Sequence, residues 1–212
     1  MKLKNLWIGL CLLTAHPLFA QQSTKDSTTL TINHGSKIPE VMELFKFQGI
    51  NYFKITSKDA HIGDYYFQFV IKEYDGEKLI HCDTLMNAAE RSAYDNRKDV
   101  DTAFSVMVQA TQRDSVNFSF NLGRAGLKRR YKKMPVNTYS LRDAISSHGS
   151  PVKVPIGKAF PLLVYSLPYE DPARPGYLFY CALTADGTPP EQWGQKFGVK
   201  HLIILELSIL KK

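Results

Sequence analysis

Tyr65-Tyr66-Phe67-Gln68-Phe69-Val70-Ile71-Lys72-Glu73-Tyr74, then Asp75-Gly76, then Glu77-Lys78-Leu79-Ile80-His81-Cys82-Asp83-Thr84-Leu85-Met86, is the stretch that decides the fold. Two β-rich runs flank an Asp-Gly pair, a strong hairpin signal because a tight two-residue turn needs positive φ. With Tyr74 opposite Glu77, Ile71 faces Ile80, Phe69 faces Cys82, Phe67 faces Thr84 and Tyr65 faces Met86. Both strands then place their more apolar set on one side, and a one-residue slip would send one set to the wrong face.

A second hairpin follows the same logic. Phe104, Val106, Val108 and Ala110 alternate with polar residues, as do Val116, Phe118, Phe120 and Leu122. A three-residue loop, Gln112-Arg113-Asp114, pairs Ala110 with Val116 and Val108 with Phe118. Ser105, Gln109, Thr111, Ser115, Asn117, Ser119 and Asn121 then fall on the opposite, wet face of an antiparallel sheet.

Further strands are expected at 28–32, 50–56, 162–167 and 177–183. The last, His201 to Leu210, is apolar on both faces and therefore central in its sheet. Ile38, Val41, Met42 and Phe45 fall at helical spacing behind Pro39 and before Gly49, which predicts a short amphipathic helix packing its stripe into the core. Residues 139–147 are expected to hold a short helix or turn, and Pro190-Glu191-Gln192-Trp193 a helical turn. Residues 57–64 and 87–101 read as polar surface loops, and 168–176, with three prolines, as a rigid connection. About eight strands, no βαβ alternation and one to three short helices predict a mostly β chain. The expected architecture is an antiparallel β-sandwich, with a partly open β-barrel as the alternative.

The first twenty residues read as a signal peptide. Lys2 and Lys4 precede the apolar run Leu6 to Ala15, and Ala20 ends the segment before Gln21-Gln22. Cys11 follows Leu10 rather than a small residue, which disfavours a lipid-anchored form. Residues 21–27 are polar and expected to be disordered, and 28–212 form a single β-rich domain. The mature chain carries no apolar run long enough to span a bilayer. Removing two leader lysines from a chain of net charge +7 leaves roughly +5. A mildly basic exported chain suits acidic glycans, lipid headgroups or acidic proteins, and argues against nucleic acid.

Candidate ligand-binding residues are Arg124, Lys128, Arg129, Arg130 and Tyr131, in a basic run extended by Lys132 and Lys133, together with the loop residue Trp193. The run can cradle an anionic glycan or headgroup, or it can be a solvated edge strand whose cations block aggregation. Trp193 can be a sugar platform or a cap on the end of the sandwich. Cys82 and Cys181 can form a disulfide in an oxidising compartment or remain two buried thiols. Asp59, His61 and Asp64 share a loop, His81 and Asp83 share a strand face, and Ser147-His148-Gly149-Ser150 is turn chemistry. Neither HxH nor HExxH occurs, nor a GxSxG elbow or a phosphate loop, so the sequence points to no catalytic residue, metal or cofactor.

The leader ending Phe19-Ala20, the size and the aromatic-rich strands resemble small exported proteins of gut-type Gram-negative bacteria, many of them uncharacterised. That general resemblance implies a periplasmic or cell-surface setting. The expectation is a non-catalytic binding protein contacting an envelope protein or glycan. A secreted glycan-acting hydrolase and a structural envelope subunit are the alternatives.

Overall fold

The computed structural model describes residues 27–57, 65–87, 103–112, 114–122, 125–136, 138–145, 150–180, 183 and 185–211. The signal peptide, the Asp59/His61/Asp64 loop, the 88–101 excursion, Arg124, His148 and Cys181 lie outside them.

Thirteen strands are present among the described residues. In chain order they are β1 (Ser27–His34), β2 (Ile50–Ser57), β3 (Tyr65–Asp75), β4 (Lys78–Asn87), β5 (Ala103–Gln112), β6 (Ser115–Leu122) and β7 (Ala125–Lys132). There follow β8 (Ser140–Asp143), β9 (Val152–Pro155), β10 (Ala159–Ser166), β11 (Tyr169–Glu170), β12 (Leu178–Phe179) and β13 (His201–Lys211). A six-stranded sheet has the order β7-β6-β5-β2-β1-β9 and a five-stranded sheet the order β4-β3-β13-β10-β8, every pairing antiparallel. Each sheet keeps two free edges, so the architecture is a sandwich and not a closed barrel.

Period-two alternation builds the core. Leu30, Ile32, Phe53, Ile55, Val106, Val108, Val116, Phe118 and Phe120 project from the six-stranded sheet. They meet Phe67, Phe69, Ile71, Ile203, Leu205, Leu207 and Ile209 from the five-stranded sheet. Burying each such side chain contributes roughly 1.5–3 kcal/mol. As expected, β13 is central and apolar on both sides. Its outward Leu202 and Ile204 join Tyr74, Val164, Leu183, Trp193 and Val199 in a second core on the outside of the five-stranded sheet. A 3-10 turn at 190–192 and the short helix α2 (Trp193–Phe197) cover that face.

The second hairpin has the expected register, Ala110 opposite Val116 and Val108 opposite Phe118. Its loop is one residue tighter, because Gln112 pairs with Ser115 across a bulge. The first hairpin differs more. Asp75 pairs with Lys78, so Gly76 and Glu77 form the turn, and a bulge at Ile80 then places Cys82 opposite Lys72 and Asp83 opposite Ile71. Positive φ occurs at Gly76 (+58°) and not at Glu77, the pattern of a II′ turn. The bulge reverses the faces of the strand, so Cys82 is exposed rather than on the apolar side.

Three other expectations are corrected. The helix α1 (Pro39–Phe47) forms behind Pro39, but none of its residues is buried. It packs through Phe45 on Tyr52, an outward residue of β2, and leaves Leu44 and Phe47 in solvent. Residues 140–143 are not helical but form the short edge strand β8 on β10. The expected strand at 177–183 shrinks to Leu178–Phe179, while Leu183 packs into the second core.

Candidate functional site

A cavity of about 460 Å³ opens where α1 packs beside the ends of β1 and β2. It is lined by His34 of β1 and Gly35 just after it, by Met42, Phe45 and Lys46 of α1, and by Ile50 and Tyr52 of β2. Asn51, Lys133, Val136, Tyr139 and Tyr165 complete the wall. Local geometry sets this up. Gly35 takes φ +71° and donates its N–H to the Tyr52 carbonyl at 2.8 Å. A Cβ there would stand 2.6 Å from Met42 Sδ, so glycine lets the helix close on the strand ends. Phe45 packs on Tyr52 with ring centroids 5.5 Å apart, and Gln109 Nε2 donates to the Gln48 carbonyl at 3.3 Å, holding the far end of α1.

The opposite wall, carrying Lys133, Val136 and Tyr139, is fixed by polar bonds. Lys133 Nζ donates to the carbonyls of Met134 (3.2 Å) and Val136 (2.9 Å) and lies 5.6 Å from the Tyr139 ring centroid. The Met134 N–H donates to the Tyr139 phenol oxygen at 3.2 Å. That phenol lies 2.7 Å from His201 Nδ1, and His201 Nε2 lies 3.1 Å from Glu73 Oε1. One proton arrangement satisfies every group: the phenol donates to Nδ1 and Nε2–H donates to the buried carboxylate. Tyr139 also stacks on Tyr165, centroids 5.0 Å apart and planes at 12°.

Burial sets the charge state of this wall. It pushes the Tyr139 phenol up to about 12, with the Met134 amide pulling the other way and Glu73 adding to the rise. Burial also raises Tyr165, and burial followed by the charge of Arg142 holds His34 below the usual histidine range. Near neutral pH the cavity therefore presents neutral phenols, a neutral imidazole and the positive charges of Lys46 and Lys133. No Asp or Glu is among its lining residues.

The sequence-predicted residues stand elsewhere. The β7 edge strand carries Lys128 and Arg130 outward, with Arg130 Nε donating to Asn117 Oδ1 at 3.2 Å. Arg129 and Tyr131 point inward. Arg129 Nε meets Asp83 Oδ2 at 3.1 Å, bridging the two sheets, and the Tyr131 ring lies 6.0 Å from that of His81. The structure thus brings the His81/Asp83 pair against the basic run. Tyr131 is buried in the core, its hydroxyl without a hydrogen-bond partner among the described residues. Trp193 is 2% exposed and donates its indole N–H to the Thr188 carbonyl at 2.9 Å. It caps the second core and offers no surface platform. Cys82 is a free, exposed thiol, and its expected partner Cys181 lies outside the described residues.

Sequence reasoning missed the cavity and the Tyr139–His201–Glu73 chain. It also missed a carboxylate pair on the outer face of the five-stranded sheet. There Glu206 accepts from Lys72 Nζ at 2.6 Å and lies near Glu191. Burial, then the neighbouring Glu206 carboxyl, raises Glu191 above the usual carboxylate range. Among the described residues no group of three or more His, Cys, Asp or Glu is placed to hold a metal ion, and no helix is long and apolar enough to cross a membrane. No family model, no curated protein and no solved structure matches this chain.

Proposed function

We propose that the chain is an exported, non-catalytic binding protein of the cell envelope, and that its ligand occupies the cavity under α1. The observation that carries this is the character of the lining. A volume of about 460 Å³ falls within the usual range for small-molecule sites. Four aromatic rings, Phe45, Tyr52, Tyr139 and Tyr165, give it an apolar body, Asn51 adds an N–H donor, and Lys46 and Lys133, bonded to Glu43 and to the Met134 and Val136 carbonyls, place positive charge beside it. That combination suits a small ligand with a ring or acyl body and an anionic or acceptor-rich head, such as an acidic sugar. The leader pattern of residues 1–20 supports export.

The hydrolase reading has Glu191 and Glu206 to draw on. Their geometry favours a structural role. Glu206 is buried and bound to Lys72 at 2.6 Å, which neutralises its charge. The pair also sits away from the cavity.

Two measurements test the proposal. Thermal shift against a panel of acidic sugars and aromatic and aliphatic carboxylates should return stabilising compounds whose effect disappears in Asn51→Trp, which fills the cavity. An empty panel, or a hit that Asn51→Trp leaves unchanged, refutes the site. Intact mass of the chain recovered from an expressing Gram-negative host should correspond to loss of residues 1–20, and retention of the leader refutes the export assignment.

A further inference from the structure

The solvent face of the six-stranded sheet has a charge pattern the cavity does not explain. Its inward positions are fixed by the core, so register assigns the outward ones. They are Lys128, Arg130 and Lys132 on β7, Ser115, Asn117, Ser119 and Asn121 on β6, and Ser105, Met107 and Gln109 on β5. On β2 they are Lys54 and Thr56, beyond Ile50 and Tyr52, which line the cavity under α1; Thr29, Thr31 and Asn33 follow on β1 and Lys153 on β9. Five cations stand among these described positions and no carboxylate, although the chain contains 20 Asp and Glu. On this face, among the described residues, carboxylates occur only at the margin: Asp114 in the β5–β6 turn, and Glu40 and Glu43 on α1, where Glu43 pairs with Lys46 at 2.7 Å.

The arrangement is ordered. Lys128, Arg130 and Lys132 follow one another along the edge at spacings of roughly 7 Å, two residues of strand each. Lys54 lies three strands inward, roughly 14 Å away. Between these cations β5 and β6 present Ser, Asn and Gln side chains and the half-buried Met107, and none of the large exposed apolar residues lies there. The exposed apolar residues Ile38, Leu44 and Phe47 belong to α1 and its N-cap, at one end of the sheet. An edge strand needs only a cation or two to block aggregation, and that requirement does not remove acids from the five strands beside it.

We infer that this face binds an acidic polysaccharide lying across the sheet. Cations would meet its carboxylates or sulfates, and the Ser/Asn ladder would exchange hydrogen bonds with its hydroxyls. A bilayer surface would instead favour apolar side chains able to enter it, which the ladder lacks. None of the five cations lines the cavity, so Asn51→Trp should leave this binding intact.

The test uses the mature chain and polygalacturonate, followed by calorimetry and affinity electrophoresis, with neutral pullulan as the uncharged comparison. Binding to polygalacturonate and not pullulan is expected, weakening several-fold as ionic strength rises from about 0.05 M to about 0.5 M. Combined Lys128→Glu, Arg130→Glu and Lys132→Glu should lose at least about tenfold in affinity. The charge-matched triple Lys78→Glu, Lys200→Glu and Lys211→Glu, at positions off this face, should lose far less. Melting curves check that both triples fold. If the two triples weaken binding equally, net charge alone is responsible and the face is refuted. Equal binding of pullulan also refutes it. So does tighter, face-dependent binding to vesicles of 3:7 phosphatidylglycerol and phosphatidylcholine.

Discussion

Gly194→Ala is the sharpest test of how the leading hairpin is held. Gly194 is the second residue of α2 and lies directly against the Gly76-Glu77 turn. A Cβ at 194 would stand 2.2 Å from the Gly76 carbonyl oxygen, 2.4 Å from its carbon and 2.9 Å from Glu77 N. All three are backbone atoms and cannot rotate away. The turn is also held by its Gly76 N–H, which donates to the Lys200 carbonyl at 2.7 Å. Reaching ordinary contact requires helix and turn to separate by about 1 Å, which pulls Trp193 and Val199 out of register with the second core. Overpacking against such a rigid partner costs about 3 kcal/mol, the upper end of the usual range. Alanine recovers about 1 kcal/mol of helix propensity. The net loss is about 2 kcal/mol, a fall in Tm of roughly 4–8 °C for a chain of this size. Calorimetry and urea unfolding followed by tryptophan fluorescence measure it, because Trp193 is the sole tryptophan beyond the leader. Gly126→Ala is the comparison: a Cβ there meets nothing within 4 Å, and it should stay within about 0.5 kcal/mol of the parent. A Gly194→Ala variant as stable as the parent, with unchanged fluorescence, would refute the packing of α2 on the turn.

Tyr139→Phe removes the partner of His201 Nδ1 and of the Met134 N–H; the expected loss is about 1–3 kcal/mol in denaturant unfolding, and an unchanged midpoint would show the chain to be energetically idle. Glu191 binds its proton more tightly folded than unfolded, so its contribution is present below 4.5 and lost as pH rises through its raised value. Glu191→Gln should therefore gain on the parent between acid and neutral pH in paired melts, and parallel pH profiles would contradict this. Tyr139 contributes stability below 10 that disappears as pH climbs from 10 through about 12. Phenolate absorbance should show late-titrating tyrosines and unfolding in that window, whereas tyrosines that all titrate near 10 in a folded chain would contradict the buried site. Cys82 should react with a thiol reagent in the native protein without denaturant, and protection would contradict its exposure.

Local pattern determined the strands, because a half-buried strand writes its two faces into alternate residues. Phe104 to Leu122 gave the correct pairing from spacing alone, and the doubly apolar 201–210 run announced a central strand. The Asp75-Gly76 signal placed a hairpin correctly but not its register. Gly76 and Glu77 became the turn because Gly194 and Lys200, more than a hundred residues away in sequence, pack and bond against it. The bulge at Ile80 then reversed Cys82, and no local rule requires that bulge. The stripe of α1 was legible as a helix face, but its neighbour was not: Phe45 packs on Tyr52, outward on β2, and no residue of the helix is buried. The cavity was invisible for the same reason. Its lining comes from residues 34–52, 133–139 and 165, and only the meeting of two sheets, a helix and a crossing segment makes a concave surface. The acid-free face lies between these cases. Every residue of it was readable, and the antiparallel pairing decided that Lys54, Lys153 and the β7 cations share one side.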